Sequence, residues 1–439
     1  MNRFLKRALS LILIGIMAVN LCGCFAAKPS QQGQQGQQTQ PAGQSGGSAM
    51  KGGSQDLMAG YTSSIAKSSE LPDKASSEKA AALALRLFNA CAEEDGNTLI
   101  SPLSILYALS MTANGAENET LAEMESVLGM NVDELNEFCL RYANALEAVE
   151  GSKLALANSI WFTSDQRFTV NEAFLQKNAD YYGADIYKAP FDDGTLYDIN
   201  NWVKQKTDGM IPEALDEIPQ EAVMYLINAL AFDAEWETIY KKNDTASREF
   251  TKADGSKTAV EMMFSEESRY IGNENADGFI KYYKGRRYAF AALLPKEGTS
   301  PYELMASLTG EELLGMLSGA EDSSVSAGIP KFESGFNSEL SSVLCGLGMP
   351  RAFDDSMAQL RGLGVSSAGN IFINRVIHKT FISVDERGTR AGAATIVEAC
   401  DEACPLYEHT VILDRPFVYM LIDCETDLPF FIGVLADPA

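Results

Sequence analysis

Histidine is nearly absent: the 439 residues hold two, His378 and His409. Chemistry that needs an imidazole as base, proton shuttle or metal ligand therefore has little to draw on. The globular part has no Gly-x-Ser-x-Gly elbow, no zinc-binding His-Glu-x-x-His helix and no Gly-rich phosphate loop. Basic residues are also scarce, 35 Lys and Arg against 60 Asp and Glu, for a net charge of −25. A chain so short of cations does not suit nucleic acid, whose binding rests on neutralising phosphates. Beyond the N-terminal region the cysteines are Cys91, Cys139, Cys345, Cys400, Cys404 and Cys424, and their irregular spacing offers neither a disulfide framework nor paired zinc ligands. The acidic residues, though many, are scattered as on a solvated surface. Catalysis, a metal and a cofactor are not expected.

The two ends of the chain differ in kind. Arg3, Lys6 and Arg7 precede an apolar stretch, Leu9 to Val19, that is too short and wrongly flanked for a stable membrane span. The following Leu21-Cys22-Gly23-Cys24 resembles a bacterial lipobox, with Cys24 as the lipidated residue. A plain secretory signal is the alternative, and both place the mature chain outside the cytoplasm. Residues 1–23 are thus read as a lipoprotein signal peptide and 24–75 as an anchored Cys24 with a disordered tether rich in Gln, Gly and Ser. About 50 residues of that composition reach roughly 35–42 Å. Residues 76–439 show no second low-complexity break, so they read as one domain.

Helical periodicity appears over Ser77 to Cys91, Pro102 to Asn114, Glu119 to Leu128 and Asp133 to Glu147. Strand-like runs appear over Ala155 to Phe162, Tyr225 to Phe232, Tyr288 to Leu294, Ile371 to Val384 and from Val411 onward. Helices first and strands later indicate an α+β fold.

The most informative stretch is Asp385 to Thr395. From Thr389 onward small or β-branched residues recur at every second position (Thr389, Ala391, Ala393, Thr395, Val397), the period of a strand with one buried face. They offer little to hold the segment in a core. Composition alone leaves two readings open: a movable loop able to pair as a strand, or an Ala-rich surface loop.

Glu386 to Thr395 resembles the hinge of a serpin reactive-centre loop, E-x-G-T-x-A-x-A-A-T. Val376-Ile377-His378-Lys379 before it, and Asp414-Arg415-Pro416-Phe417 and Phe431 to Pro438 after it, are similar to the family's last strands. Asn97 to Ile105, Leu156 to Trp161, Ile199 to Val203, Thr207 to Ile211, Ile227 to Phe232 with Trp236, and Ile329 to Phe332 follow in the family's order. The likeness spans about 360 residues, and the chain is identified as a serpin-like protein on that basis.

The resemblance implies a serpin fold of three β-sheets and about nine helices with an exposed reactive loop. It also implies a suicide-substrate inhibitor. A protease attacks the loop and forms an acyl-enzyme, and the freed loop enters the central sheet before water can release it. The hinge residues would be Glu386, Gly388, Thr389, Ala391, Ala393, Ala394 and Thr395. Arg390 departs from the family's usual acidic or small residue and is expected to face solvent. Buried polar residues beneath the sheet, the family's shutter and breach, would be Ser101, Ser104, Asn228, His378 and Trp236. The usual spacing from Gly388 puts the reactive bond at Glu402–Ala403, with Asp401 or Ala403 as P1 if the register slips by one. Glu402 suits a glutamyl endopeptidase and Ala403 a subtilisin- or elastase-like enzyme. The partner would be a serine or a cysteine protease, met by a monomer anchored at the membrane. Cys400 and Cys404 flank the bond, either as two free thiols or as a redox gate. A non-inhibitory, ligand-binding serpin fold is the alternative function.

Overall fold

Local caps set the helix boundaries. In a computed structural model that describes residues 50–92, 96–146, 151–218, 223–367, 369–389 and 407–438, the first helix is Lys74–Cys91. The Asp73 side chain opens it by accepting from Ser76 N–H at 2.9 Å. Ser101 caps Pro102–Ala113 in the same way, and all twelve residues of that helix are buried. Gly129, in the left-handed region at φ 75°, closes Asn118–Leu128. A reciprocal box between Asn131 and Glu134 opens Val132–Ala145. All four helices lie where periodicity predicts them. Helices Glu172–Tyr181, Asp193–Lys206, Pro301–Ser307, Gly310–Ser318 and Ser341–Leu347 complete the nine among the described residues.

Among the described residues the strands form three sheets. The central sheet runs Gln55–Asp56, Asp185–Ala189, Ser152–Thr163, Met224–Glu235, Gly388–Thr389, Arg375–Val384, Phe332–Glu339. A nine-stranded sheet contains Tyr288–Pro295, Phe417–Asp423 and Leu428–Leu435 at its heart, and Glu321–Pro330 and His409–Ile412 at one edge. Phe168–Val170 and Gly364–Ser366 make the third. Alternation along the central strands separates two cores. Ile160, Leu226 and Val376 face the main core, with the first two helices and the second sheet. Trp161, Tyr225, Ile227 and Ile377 face the helix Asp193–Lys206, which covers them with Ile199, Trp202 and Val203.

Two expectations need correction. The run Ile371 to Val384 is strand only from Arg375, because Asn374 turns its side chain back to accept from Val223 and Met224 N–H at 2.7 and 3.1 Å. The part of the expected tether from Met50 onward is not free chain. From Met50 the chain lies against the body, and Gln55–Asp56 pairs antiparallel with Tyr187–Lys188. Gly52 and Ser54 N–H donate to the buried Asp198 carboxylate at 2.8 and 3.1 Å. Composition missed this because the segment is held by its backbone, and a sheet edge accepts any backbone that fits. Of the remaining sequence assignments, Cys24, Arg390, Ala391, Ala393, Ala394, Thr395, Cys400, Asp401, Glu402, Ala403 and Cys404 lie outside the described residues.

Candidate functional site: a parted sheet and its hinge

Two parallel strands at the middle of the central sheet, Met224–Glu235 and Arg375–Val384, form the site. Their ladder joins Tyr225–Ala229 to Arg375–Lys379 and stops there. Beyond it, Leu230–Asp233 and Thr380–Ser383 carry no rung between them, and Gly388–Thr389 occupies the far end of the gap. Thr389 pairs with Ala234 on one side and Val384 on the other, antiparallel to both. The sheet is therefore open, with the hinge two residues inside it.

A tight reversal delivers the hinge. Asp385 accepts at Oδ1 from Arg387 and Gly388 N–H at 2.8 and 3.2 Å, and its own N–H donates to Gly388 O at 3.0 Å. Gly388 is required by space, because a Cβ there would lie 1.9 Å from Ala234 O. Trp236 holds the turn from outside through Nε1–H to Asp385 O at 2.9 Å and N–H to Arg387 O at 2.8 Å. Tyr240 N–H donates to Glu386 O at 2.9 Å, and Lys331 bridges the Glu386 and Glu261 carboxylates at 3.0 Å each. Partial burial lowers the Lys331 pKa, but the two carboxylates outweigh it and the net shift is upward. Behind Trp236 a buried ion pair, Lys281–Glu267 at 2.7 Å, sets its ammonium 4.5 Å from the Tyr240 ring centroid.

Under the closed part of the sheet lies the polar cluster. His378 Nε2 accepts from Ser101 N–H at 3.0 Å, so Nδ1 carries the proton and donates to Asn228 Oδ1 at 2.7 Å. Ser104 joins through Ser101, whose Oγ accepts its N–H at 3.3 Å. Thr380 Oγ1 donates to Leu99 O at 2.7 Å, tying the second strand to the segment beneath. Complete burial holds the His378 pKa down to about 3. The predicted residues Ser101, Ser104, Asn228 and His378 thus meet in one cluster. Trp236, Glu386, Gly388 and Thr389 meet in another, at the opposite end of the gap. Asn158, opposite Asn228 in the ladder, leaves Oδ1 without a partner among the described residues, as do Asn228 at Nδ2 and Ser104 at Oγ. Each such orphan costs about 1–3 kcal/mol.

His378 makes stability depend on pH. Its folded pKa of about 3 lies below the roughly 6.5 of a free imidazole. Between those values the unfolded chain binds the extra proton, so stability rises with pH across the window and falls as pH drops below about 6.5. Lowering the pH from 6.5 to 5 should cost roughly 2 kcal/mol in a urea titration. His378→Gln should abolish that loss, and an unchanged slope would remove His378 as its source.

Tyr240, Tyr283, Glu261, Lys281, Lys331, Asn158 and Thr380 were not assigned a site role from sequence. Asn158 and Lys331 fall inside the motifs Leu156 to Trp161 and Ile329 to Phe332, which marked them without giving a role; no short motif marks the others, whose partners lie on other elements.

Residues 78–438 match the family model described as Serpin (serine protease inhibitor). The chain superposes on the thermophilic serpin tengpin in its native state with a TM-score of 0.83 at 44% identity, covering 88% of this chain and 99% of that one. Against tengpin in its latent state the TM-score is 0.74 at 45% identity, covering 83% and 98%. Leukocyte elastase inhibitor A of Mus musculus is 29% identical over 81% of this chain and 97% of its own length. Members of this family are generally protease inhibitors rather than catalysts, directed at serine proteases. The nine helices, three sheets and matched length agree: the chain belongs to the serpin family.

Proposed function

We propose that this protein is a suicide-substrate inhibitor of serine proteases, held outside the cell at the membrane by a lipid on Cys24. The observation that carries the reading is the central sheet, already parted and already holding Gly388–Thr389. Extending that antiparallel register is arithmetic. Thr389 lies opposite Ala234 and Val384, so Ala391 would meet Phe232 and Ile382, and Ala393 would meet Leu230 and Thr380. Thr395 would then meet Asn228 and His378. The first five residues beyond Thr389 thus fill the open stretch and reach the ladder at Ala229–Lys379. Further insertion must unzip that ladder and break the His378–Asn228 bond. Small residues on the inward face make the first stage fast, and speed is what lets insertion outrun deacylation. The unmet polar groups of Asn158, Asn228 and Ser104 favour opening the cluster. Cleavage at Glu402–Ala403 leaves fourteen loop residues after Gly388 on the proximal side, more than enough to cross the cluster.

The test is incubation of the domain from residue 50 with a glutamyl endopeptidase and with a subtilisin. A complex that survives denaturing electrophoresis is expected, and the released C-terminal peptide should begin at Ala403. A peptide beginning at Glu402 or Cys404 moves P1 by one residue. Clean cleavage without complex by both enzymes would support a non-inhibitory role instead.

A further inference from the structure

Tyr283 is held without freedom. Its ring stacks on Trp236, with centroids 4.4 Å apart and planes 9° from parallel, and meets Phe232 edge-on at 5.0 Å. The residue is fully buried. Aromatic packing of this kind fixes the direction of the hydroxyl as well as the ring. That hydroxyl pairs with Thr389 Oγ1, and it has no other hydrogen-bond partner among the described residues. Thr389 is itself 1% exposed, although Arg387, two residues earlier, is exposed. Withdrawing the hinge would leave a rigid phenol in an aromatic pocket with its donor unmet, a loss that a mobile surface tyrosine would not suffer.

The contact is also selective. Thr389 can reach Tyr283 only with its side chain turned inward, and inversion by one residue would present Gly388, which has no side chain to offer. We infer that Tyr283 is a positioning residue of the trap: through Thr389 it latches the hinge two residues deep in the sheet, in the register that leads the small residues inward. Insertion then grows from a strand already nucleated instead of having to start one. This rests on the proposed loop insertion, but the latch itself is readable without a protease.

Tyr283→Phe keeps the ring stack and removes the hydroxyl; Thr389→Val keeps the β-branched shape and removes its partner. Amide hydrogen exchange at Gly388, Thr389 and the Trp236 and Tyr240 N–H groups that bind the hinge should quicken about tenfold in either variant, the worth of one net hydrogen bond. The double variant should be no worse than either single, because the two side chains act as one contact. In inhibition assays with whichever of the two proteases forms a complex, both variants should need at least about twice as many inhibitor molecules per protease trapped. Exchange at the parent rate in both variants overturns the latch whether or not any protease is trapped. Faster exchange with an unaltered inhibitor requirement overturns its role in the trap. If the parent traps neither protease, the inhibitor reading fails and the exchange result still decides the latch.

Discussion

Thr389→Arg should leave the loop cleavable at the same bond and abolish the trapped complex. Thr389 is buried between two strands against Tyr283, which stacks on Trp236. A guanidinium placed there is a charge taken out of water, a cost of several kcal/mol unless it is paired. The neighbouring pair Lys281–Glu267 is already closed at 2.7 Å, and Lys281 would repel the new cation. The hinge must then stay outside, and the first step of insertion carries the whole penalty. A barrier raised by about 3 kcal/mol slows insertion roughly a hundredfold, so deacylation wins. A gel time course checks this: the variant should show only cleaved inhibitor and free protease. Persistence of a complex at the parent's yield would mean that Thr389 does not enter the sheet during trapping.

Removing residues 50–61 should shorten the life of the inhibitory state. Gly52 and Ser54 supply two hydrogen bonds to Asp198, which is buried within the helix Asp193–Lys206. Gly52 and Gly194 approach so closely that a Cβ on Gly52 would lie 1.8 Å from Gly194 O. The segment therefore fastens the start of the one described helix that covers Trp161, Tyr225, Ile227 and Ile377 on the outer face of the parted sheet. Hydrogen bonds to a carboxylate contribute about 1.5–3 kcal/mol each, and water reaching the freed Asp198 recovers part of that. A net loss of about 2 kcal/mol loosens the helix and speeds spontaneous closure of the sheet about thirtyfold. Stored at constant temperature, the shortened chain should lose inhibitory capacity faster than the parent while its melting temperature rises, as a sheet that has taken up its own loop gains a strand. Loss of capacity with a falling melting temperature would point to simple destabilisation and away from sheet closure.

The electrostatic character of the molecule enters mostly through local pairs. Arg387–Glu235 at 2.9 Å and Arg286–Glu237 at 2.6 Å are exposed, and pairs of that kind contribute little. Lys281–Glu267 is buried and the Lys331 bridge half-buried, and both lie at the end of the sheet where the hinge goes in; a second buried pair, Arg287–Asp423 at 2.7 Å, lies at the nine-stranded sheet.

The sequence by itself determined the local features. Four helices begin where Asp73, Ser101 and Asn131 cap them or end where Gly129 turns left-handed, because caps are satisfied by neighbours in the chain. The alternation from Thr389 onward is the period of a strand that would pack weakly, and the motif order identifies the family. Tertiary structure alone decided that the sheet is parted at Leu230–Asp233, that the hinge stands two residues inside it, and that Tyr283 meets Thr389 across 106 positions of sequence. It also decided that Met50 to Asp56, polar and small-residue rich like the sequence before it, is part of the body. These contacts depend on backbone groups and on the geometry of strands distant in sequence, and neither periodicity nor composition carries that information.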